Sequence, residues 1–205
     1  MTERPIRVLL ADDQALVRGA LAALLSLEPD IEVVAELGRG DQVVAAARDS
    51  QADVAMLDIE MPGLSGIDAA AELRAALPRC RCLIVTTFGR PGYLRRALDA
   101  GAQGFVVKDT PATELADAVR RVHAGLRVVD PQLAVESLTH GPNPLTDREQ
   151  DVLRAARDGA PASTLARRLS LSQGTVRNHL SSAIRKTGCT TSAEAVRQAY
   201  ENGWL

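Results

Sequence analysis

Five short apolar runs separated by stretches of helical periodicity constrain this chain more than any other feature. The runs are Ile6–Ala11, Glu32–Ala35, Val54–Leu57, Cys82–Thr86 and Gly104–Val107. Between them, Val17, Leu21, Leu24 and Leu25 recur at helical spacing, and Asp41–Ser50 reads as a helix with Asp41 as its N-cap. Ser65–Leu77 follows a Pro62-Gly63 turn, Gly92–Asp99 reads as a fourth helix, and Ala112–His123 begins behind Pro111. Five strand–helix units of this length predict an α/β, doubly wound, five-stranded parallel sheet of order 2-1-3-4-5 with helices on both faces. In that topology ligands bind beyond the carboxyl ends of the strands, at the switch point between strands 1 and 3.

The residues at those ends carry chemistry. Asp12-Asp13 follow the first run, Asp58 the third, Thr86 closes the fourth and Lys108 follows the fifth. Carboxylates brought together repel one another and need a cation among them. Asp13 and Asp58 suit direct ligation of Mg²⁺, with Asp12 binding directly or through water. Lys108 supplies a compact charge for Asp58 or a phosphoryl oxygen, and the Thr86 hydroxyl supplies a donor. The chain has only two lysines, Lys108 and Lys186, among 24 Lys and Arg residues. Arginine is the default cation, so a lysine at 108 answers a need for a point charge.

Residues 1–125 hold 14 basic and 18 acidic side chains, whereas residues 141–205 hold 9 basic and 6 acidic. Only the second part is suited to a polyanion. There is no apolar run of ~18 residues for a membrane span, and MTERPIRVLLADD lacks the apolar core of a secretory signal. Cys80, Cys82 and Cys189 have no metal-like spacing, which fits a reduced, cytoplasmic setting. Cys80-Arg-Cys82 reads as an ordinary strand entry.

Residues 126–143 lose the alternation and read as a linker, with Pro131–Leu138 as a short helix and Pro142 and Pro144 flanking Asn143. Residues 144–205 carry no strand signal and read as a small all-α domain. Thr146-Asp-Arg-Glu149 has capping-box spacing ahead of a helix to about Arg157. Ala162–Leu169 is a second helix, and Ser170-Leu171 a tight turn. Ser172 caps a third that Gly188 stops, and Ser192–Glu201 is a fourth. On the third, Val176, Leu180, Ala183 and Ile184 share one face, while Gly174, Arg177, Asn178, Ser181 and Arg185 share the opposite one. A short helix, a turn and a capped helix presenting Arg and Asn read as helix-turn-helix. Arginine suits guanine edges and asparagine adenine. Ser172, Thr175, Lys186, Arg167 and Arg168 suit phosphates. His123, His140 and His179 have no ligand-like neighbours in sequence, and Trp204 reads as an anchor for the last helix.

The stretches LLADD, MLDIEMPGLSG, IVTT and GFVVKD resemble the receiver domain of two-component response regulators over about residues 5–124, a flavodoxin-like fold. The resemblance implies that Asp58 accepts a phosphoryl group from a sensor histidine kinase. It also implies that Asp12, Asp13, Asp58 and the main-chain carbonyl of Glu60 hold Mg²⁺, that Thr86 is the switch hydroxyl, and that Phe105 is the aromatic switch and moves inward. Glu60 and Phe88 match the variable pair that tunes hydrolysis of the phosphoryl group, and a bulky Phe88 is expected to slow it. LTDREQDVLRAARDG, TLARRLSLSQGTVRNHLSSAIRKTG and SAEAVRQA resemble the LuxR-type DNA-binding domain over about residues 143–204. Together the two define the NarL/FixJ type, with Arg177, Asn178 and Ser181 as base readers.

There are departures: Ser163-Thr164-Leu165 on the scaffold helix, Thr187 in place of a usual Leu, and Thr190-Thr191-Ser192 without the usual Asn-Arg. The closing GWL and TTFGRPGYL look like a subgroup that includes regulators of membrane-lipid desaturation. The type implies a cytoplasmic, non-enzymatic regulator that binds double-stranded promoter DNA as a homodimer. Its receiver contact would use Leu16–Leu27 and Ala112–His123, its DNA-binding contact Ser192–Glu201, and RNA polymerase is a further candidate partner. An aspartate-nucleophile phosphatase is the rival enzyme, but Asp12-Asp13-Gln14 lacks the usual second aspartate two residues on. A DNA-binding module indifferent to phosphorylation is the other rival.

Overall fold

The computed structural model describes residues 4–87, 89, 91–131, 133–135 and 143–205, in two compact units. The first is built on β1 (Ile6–Ala11), β2 (Ile31–Leu37), β3 (Val54–Leu57), β4 (Arg81–Thr86), β5 (Gly104–Val107) and a short β6 (Val128–Val129). All pair in parallel, in the order β2-β1-β3-β4-β5-β6. The expected 2-1-3-4-5 order is present, and a sixth strand extends it. Val128–Val129 falls in the stretch read as linker. Two β-branched residues are too few to raise a strand signal, yet they pair with Gly104–Phe105 on the open side of β5. The central strand β3 is buried at all four positions, the reason it reads as a continuous apolar run rather than an alternating one.

The helices of this unit are α1 (Ala15–Leu25), α2 (Val43–Asp49), α3 (Gly66–Ala76), α4 (Pro91–Ala100) and α5 (Ala112–His123). Ser65 caps α3 by accepting from the Asp68 amide. Asp41 does not cap α2. It lies inside a single 3-10 turn, Gly40–Gln42, and its carboxylate is held by Arg39 at 2.7 Å. One face of the sheet packs on α1 and α5 through Val8, Leu10, Met56, Leu83, Val119 and Val122. Leu24, expected on the buried face of α1, is 41% exposed, and Leu16 and Leu27 lie further out. The helix is apolar on more sides than the sheet can cover.

The second unit contains α6 (Asp147–Ala155), α7 (Ala162–Leu169), α8 (Gln173–Thr187) and α9 (Ser192–Glu201). Thr146 and Glu149 form the capping box at α6, and Thr191 and Glu194 form a second at α9. Ser170, at φ 54°, makes the left-handed turn between α7 and α8, and Gly188, at φ 69°, ends α8. Val152, Leu165, Ala166 and Val176 form one core cluster, while Leu145, Leu153, Ala183 and Ala199 form another against which Trp204 packs. The Asn143 amide donates to the Trp204 carbonyl at 3.1 Å, tying the start of the unit to its end. Among the described residues no helix is long and apolar enough to cross a membrane.

Candidate functional site

The register brings the expected residues together. Ala11 pairs with Leu57, so Asp12 and Asp58 leave adjacent strands side by side. Thr86 pairs with Val107, and the Lys108 amide donates to the Thr86 carbonyl at 2.8 Å. Asp12, Asp58 and Thr86 are only 3%, 4% and 4% exposed, while Asp13 is open to solvent. Lys108 Nζ lies 2.7 Å from Asp12 Oδ2 and 3.1 Å from Asp58 Oδ2. The Ile59 amide donates to Asp58 Oδ1 and the Gln14 amide to Asp12 Oδ1, at 2.8 and 2.9 Å. Gly66 abuts the same strand end: a Cβ there would stand 1.9 Å from the Asp58 carbonyl, so only glycine allows α3 to start so close.

Electrostatics leave this pocket under-neutralised. Carboxylate oxygens of Asp12, Asp13 and Asp58 lie within 4.8 Å of one another, against one lysine. Burial raises the Asp58 pKa and Lys108 only partly offsets it, with the Asp12 charge adding to the rise. Burial alone would lower Lys108, but its bonds to Asp12 and Asp58 outweigh that and raise it. Three hard oxygen donors with a surplus of negative charge fit a divalent cation such as Mg²⁺.

Phe105 is 0% exposed, so the ring expected to move inward already lies wholly inside. Glu60 is exposed beside Ile59. Phe88 lies outside the described residues, as do His140, Pro142 and half of Pro131–Leu138. Cys82 and Cys80 are buried, and burial pushes both thiols up, Cys80 to about 11, so neither is poised for redox chemistry.

In the helical unit, Val176 and Ala183 are buried and Leu180 and Ile184 half-buried, while Gly174, Arg177, Asn178, Ser181 and Arg185 face solvent. Ser172 accepts from the Thr175 amide at 3.0 Å, and their hydroxyls lie 2.8 Å apart. Ion pairing separates the cations. Arg148, Arg154, Arg168 and Arg197 pair with carboxylates, and Arg157 lies over the Tyr200 ring. Lys186, expected to meet a phosphate, pairs with Glu149 at 2.7 Å while part of its side chain stays open to solvent. Among the described cations of this unit, Arg167, Arg177 and Arg185 have no such partner, and all three lie on α7 and α8. The missed element of this interface is the Glu149–Lys186 pair, which joins α6 to α8. No sequence signal announces it, because the two residues are 37 positions apart.

Comparison with known proteins agrees over both units. Residues 8–120 match the response regulator receiver domain, and residues 143–199 match the luxR family of bacterial regulatory proteins. The transcriptional regulatory protein DesR of Bacillus subtilis is 43% identical over 200 residues, spanning 98% of this chain and 99% of DesR. UhpA of Escherichia coli, also a transcriptional regulatory protein, is 33% identical over 199 residues, spanning 97% and 100%. The crystal structure of the response regulator ChrA from a heme-sensing two-component system is similar at TM-score 0.60 and 32% identity, covering 99% of this chain and 100% of ChrA.

Proposed function

Because the chain belongs to the two-component response regulators that join a receiver to a LuxR-type DNA-binding domain, the NarL/FixJ type, we propose that phosphorylation of Asp58 controls its binding to promoter DNA. The domain division that goes with this reading is a receiver over 1–125, a linker over 126–143 and a DNA-binding domain over 144–205. The observation that carries the reading is Lys108 held between Asp12 and Asp58 at one end of the sheet.

An Asp58 oxygen attacks the phosphorus of a kinase phosphohistidine. The P–O bond forms as the P–N bond breaks, and the imidazole leaves. Lys108 is placed to follow the new charge, exchanging a carboxylate for a phosphoryl oxygen, and Thr86 to donate to another. Asp12, Asp13, Asp58 and the Glu60 carbonyl would hold Mg²⁺, which would supply the remaining neutralisation. The added charge biases the receiver towards a state that self-associates through α1 and α5, with α9 as the contact of the DNA-binding half. Two copies of α8 then enter successive major grooves, with Arg177, Asn178 and Ser181 at base edges and Ser172, Thr175 and Arg185 at phosphates.

Incubation with a small acyl phosphate and Mg²⁺ is expected to add one phosphoryl group to the wild type and none to Asp58→Asn, read by intact mass. Only the wild type should gain affinity for its promoter. An equal gain in Asp58→Asn would sink the proposal. The enclosed Phe105 favours one second reading, a receiver that serves only as a platform for a constitutive DNA binder, and the same comparison decides it.

A further inference from the structure

Every oxygen of Asp12 is engaged, and two of its three partners belong to the start of one helix. Oδ2 faces Lys108, Oδ1 accepts from the Gln14 amide at the N-cap of α1, and the main-chain carbonyl accepts from Arg18 Nη1 inside α1. The same guanidinium brings Nε to 3.8 Å from Glu36 Oε2 in β2. Arg18 therefore spans α1, the end of β1 and β2. A planar fork with several donors can do this, whereas a single ammonium reaches one partner at a time. Apolar side chains stand in solvent on either side of this anchor: Leu16, in the first turn of α1, is 87% exposed, and Leu27, just past the end of the helix, 78%.

We propose that Arg18 is a positioning residue that couples the Asp12 turn to the outer face of α1. This rests on the function proposed above. When Lys108 is drawn from Asp12 towards a phosphoryl group, the turn carrying Asp12 re-seats. Arg18 passes that shift to α1 as a rigid body, because its bond is to the main chain and not to a rotatable carboxylate. Linkage makes the coupling reciprocal: self-association on α1 favours the loaded pocket by the same factor.

Beryllofluoride with Mg²⁺ serves as the phosphoryl probe, with self-association followed by sedimentation and probe occupancy by ¹⁹F NMR. The wild type is expected to tighten its self-association about tenfold or more on loading. Arg18→Ala should still take up the probe yet tighten less than about threefold, and Arg18→Lys should recover part of the response. Glu36→Gln, which leaves the Arg18–Asp12 bond in place, serves if Arg18→Ala folds poorly and should give an intermediate response. A wild-type response in both Arg18→Ala and Glu36→Gln overturns the coupling alone. Loss of probe uptake in Arg18→Ala also overturns it, since Arg18 would then shape the pocket rather than transmit from it. A wild type that does not tighten on loading overturns this inference together with the dimerisation part of the proposed function.

Discussion

Lys108 shows how one residue can hold a site and be held by it. It is the lone cation against three carboxylates, and the pocket encloses all but a small part of it. Replacing it by methionine leaves two buried aspartates facing each other without compensation. Lys108→Met is expected to lose about 3 kcal/mol of stability without divalent ions. Added Mg²⁺ should restore part of that loss, which thermal unfolding with and without the ion will show. In the helical unit the relevant residues are the cations without a carboxylate. Arg177→Ala is expected to weaken specific DNA binding by about 1–3 kcal/mol and to relax preference at one base pair. Arg185→Ala should weaken all sequences alike and reduce the salt slope by about one. Equal losses on specific and random duplexes for both variants would reverse that assignment.

At the level of elements, the link between α6 and α8 is a buried acid. Burial alone would raise the Glu149 pKa, but Lys186, Ser182 and the Thr146 amide outweigh it and bring it from 4.5 to about 2. A carboxylate lowered on folding contributes stability that is complete above its unfolded pKa and is lost as pH falls through its folded one. Glu149→Gln is therefore expected to cost about 2–3 kcal/mol at neutral pH and to flatten the stability of this unit between pH 4.5 and 2. The fluorescence of the single tryptophan, Trp204, which packs in the same unit, reports its unfolding. A profile as steep as the wild type's would contradict the assignment. Most elements were legible in the sequence because local chemistry sets them: Ser65 caps α3, Ser172 caps α8, and Gly188 takes the left-handed turn. The α2 start was misread, since an aspartate before a helix signals a cap only if no neighbour claims it, and Arg39 does.

For the whole molecule, the question is what the exposed leucines of α1 do. Its partner in the proposed interface, α5, presents charged residues outward (Glu114, Asp117 and Arg121), so the apolar contribution comes from α1. Leu16→Glu combined with Leu27→Glu is expected to change stability by less than about 0.5 kcal/mol, because both side chains are exposed in the folded chain. The same pair should keep the phosphorylated protein monomeric in sedimentation and reduce its affinity for a two-half-site promoter to that of one half-site. A phosphorylated double variant that still dimerises would place the interface elsewhere. The division of charge belongs to this scale too, since an acidic sheet unit joined in sequence to a mildly basic helical one leaves only the second suited to DNA.

The sequence by itself determined the alternation of strands and helices, the strand order and the identity of the pocket residues. Periodicity and end-of-strand position are local properties, and a parallel α/β sheet converts them into convergence at one edge. The faces of α8 were legible for the same reason. Only the tertiary structure decided which contacts those residues make. That Lys108 lies closer to Asp12 than to Asp58, that Lys186 pairs with Glu149, that Phe105 is already enclosed and that Arg18 reaches Glu36 all depend on distances between elements far apart in the chain. Side-chain chemistry states what each group can bind. Packing selects among the partners within reach, and that selection is absent from any local window of the sequence.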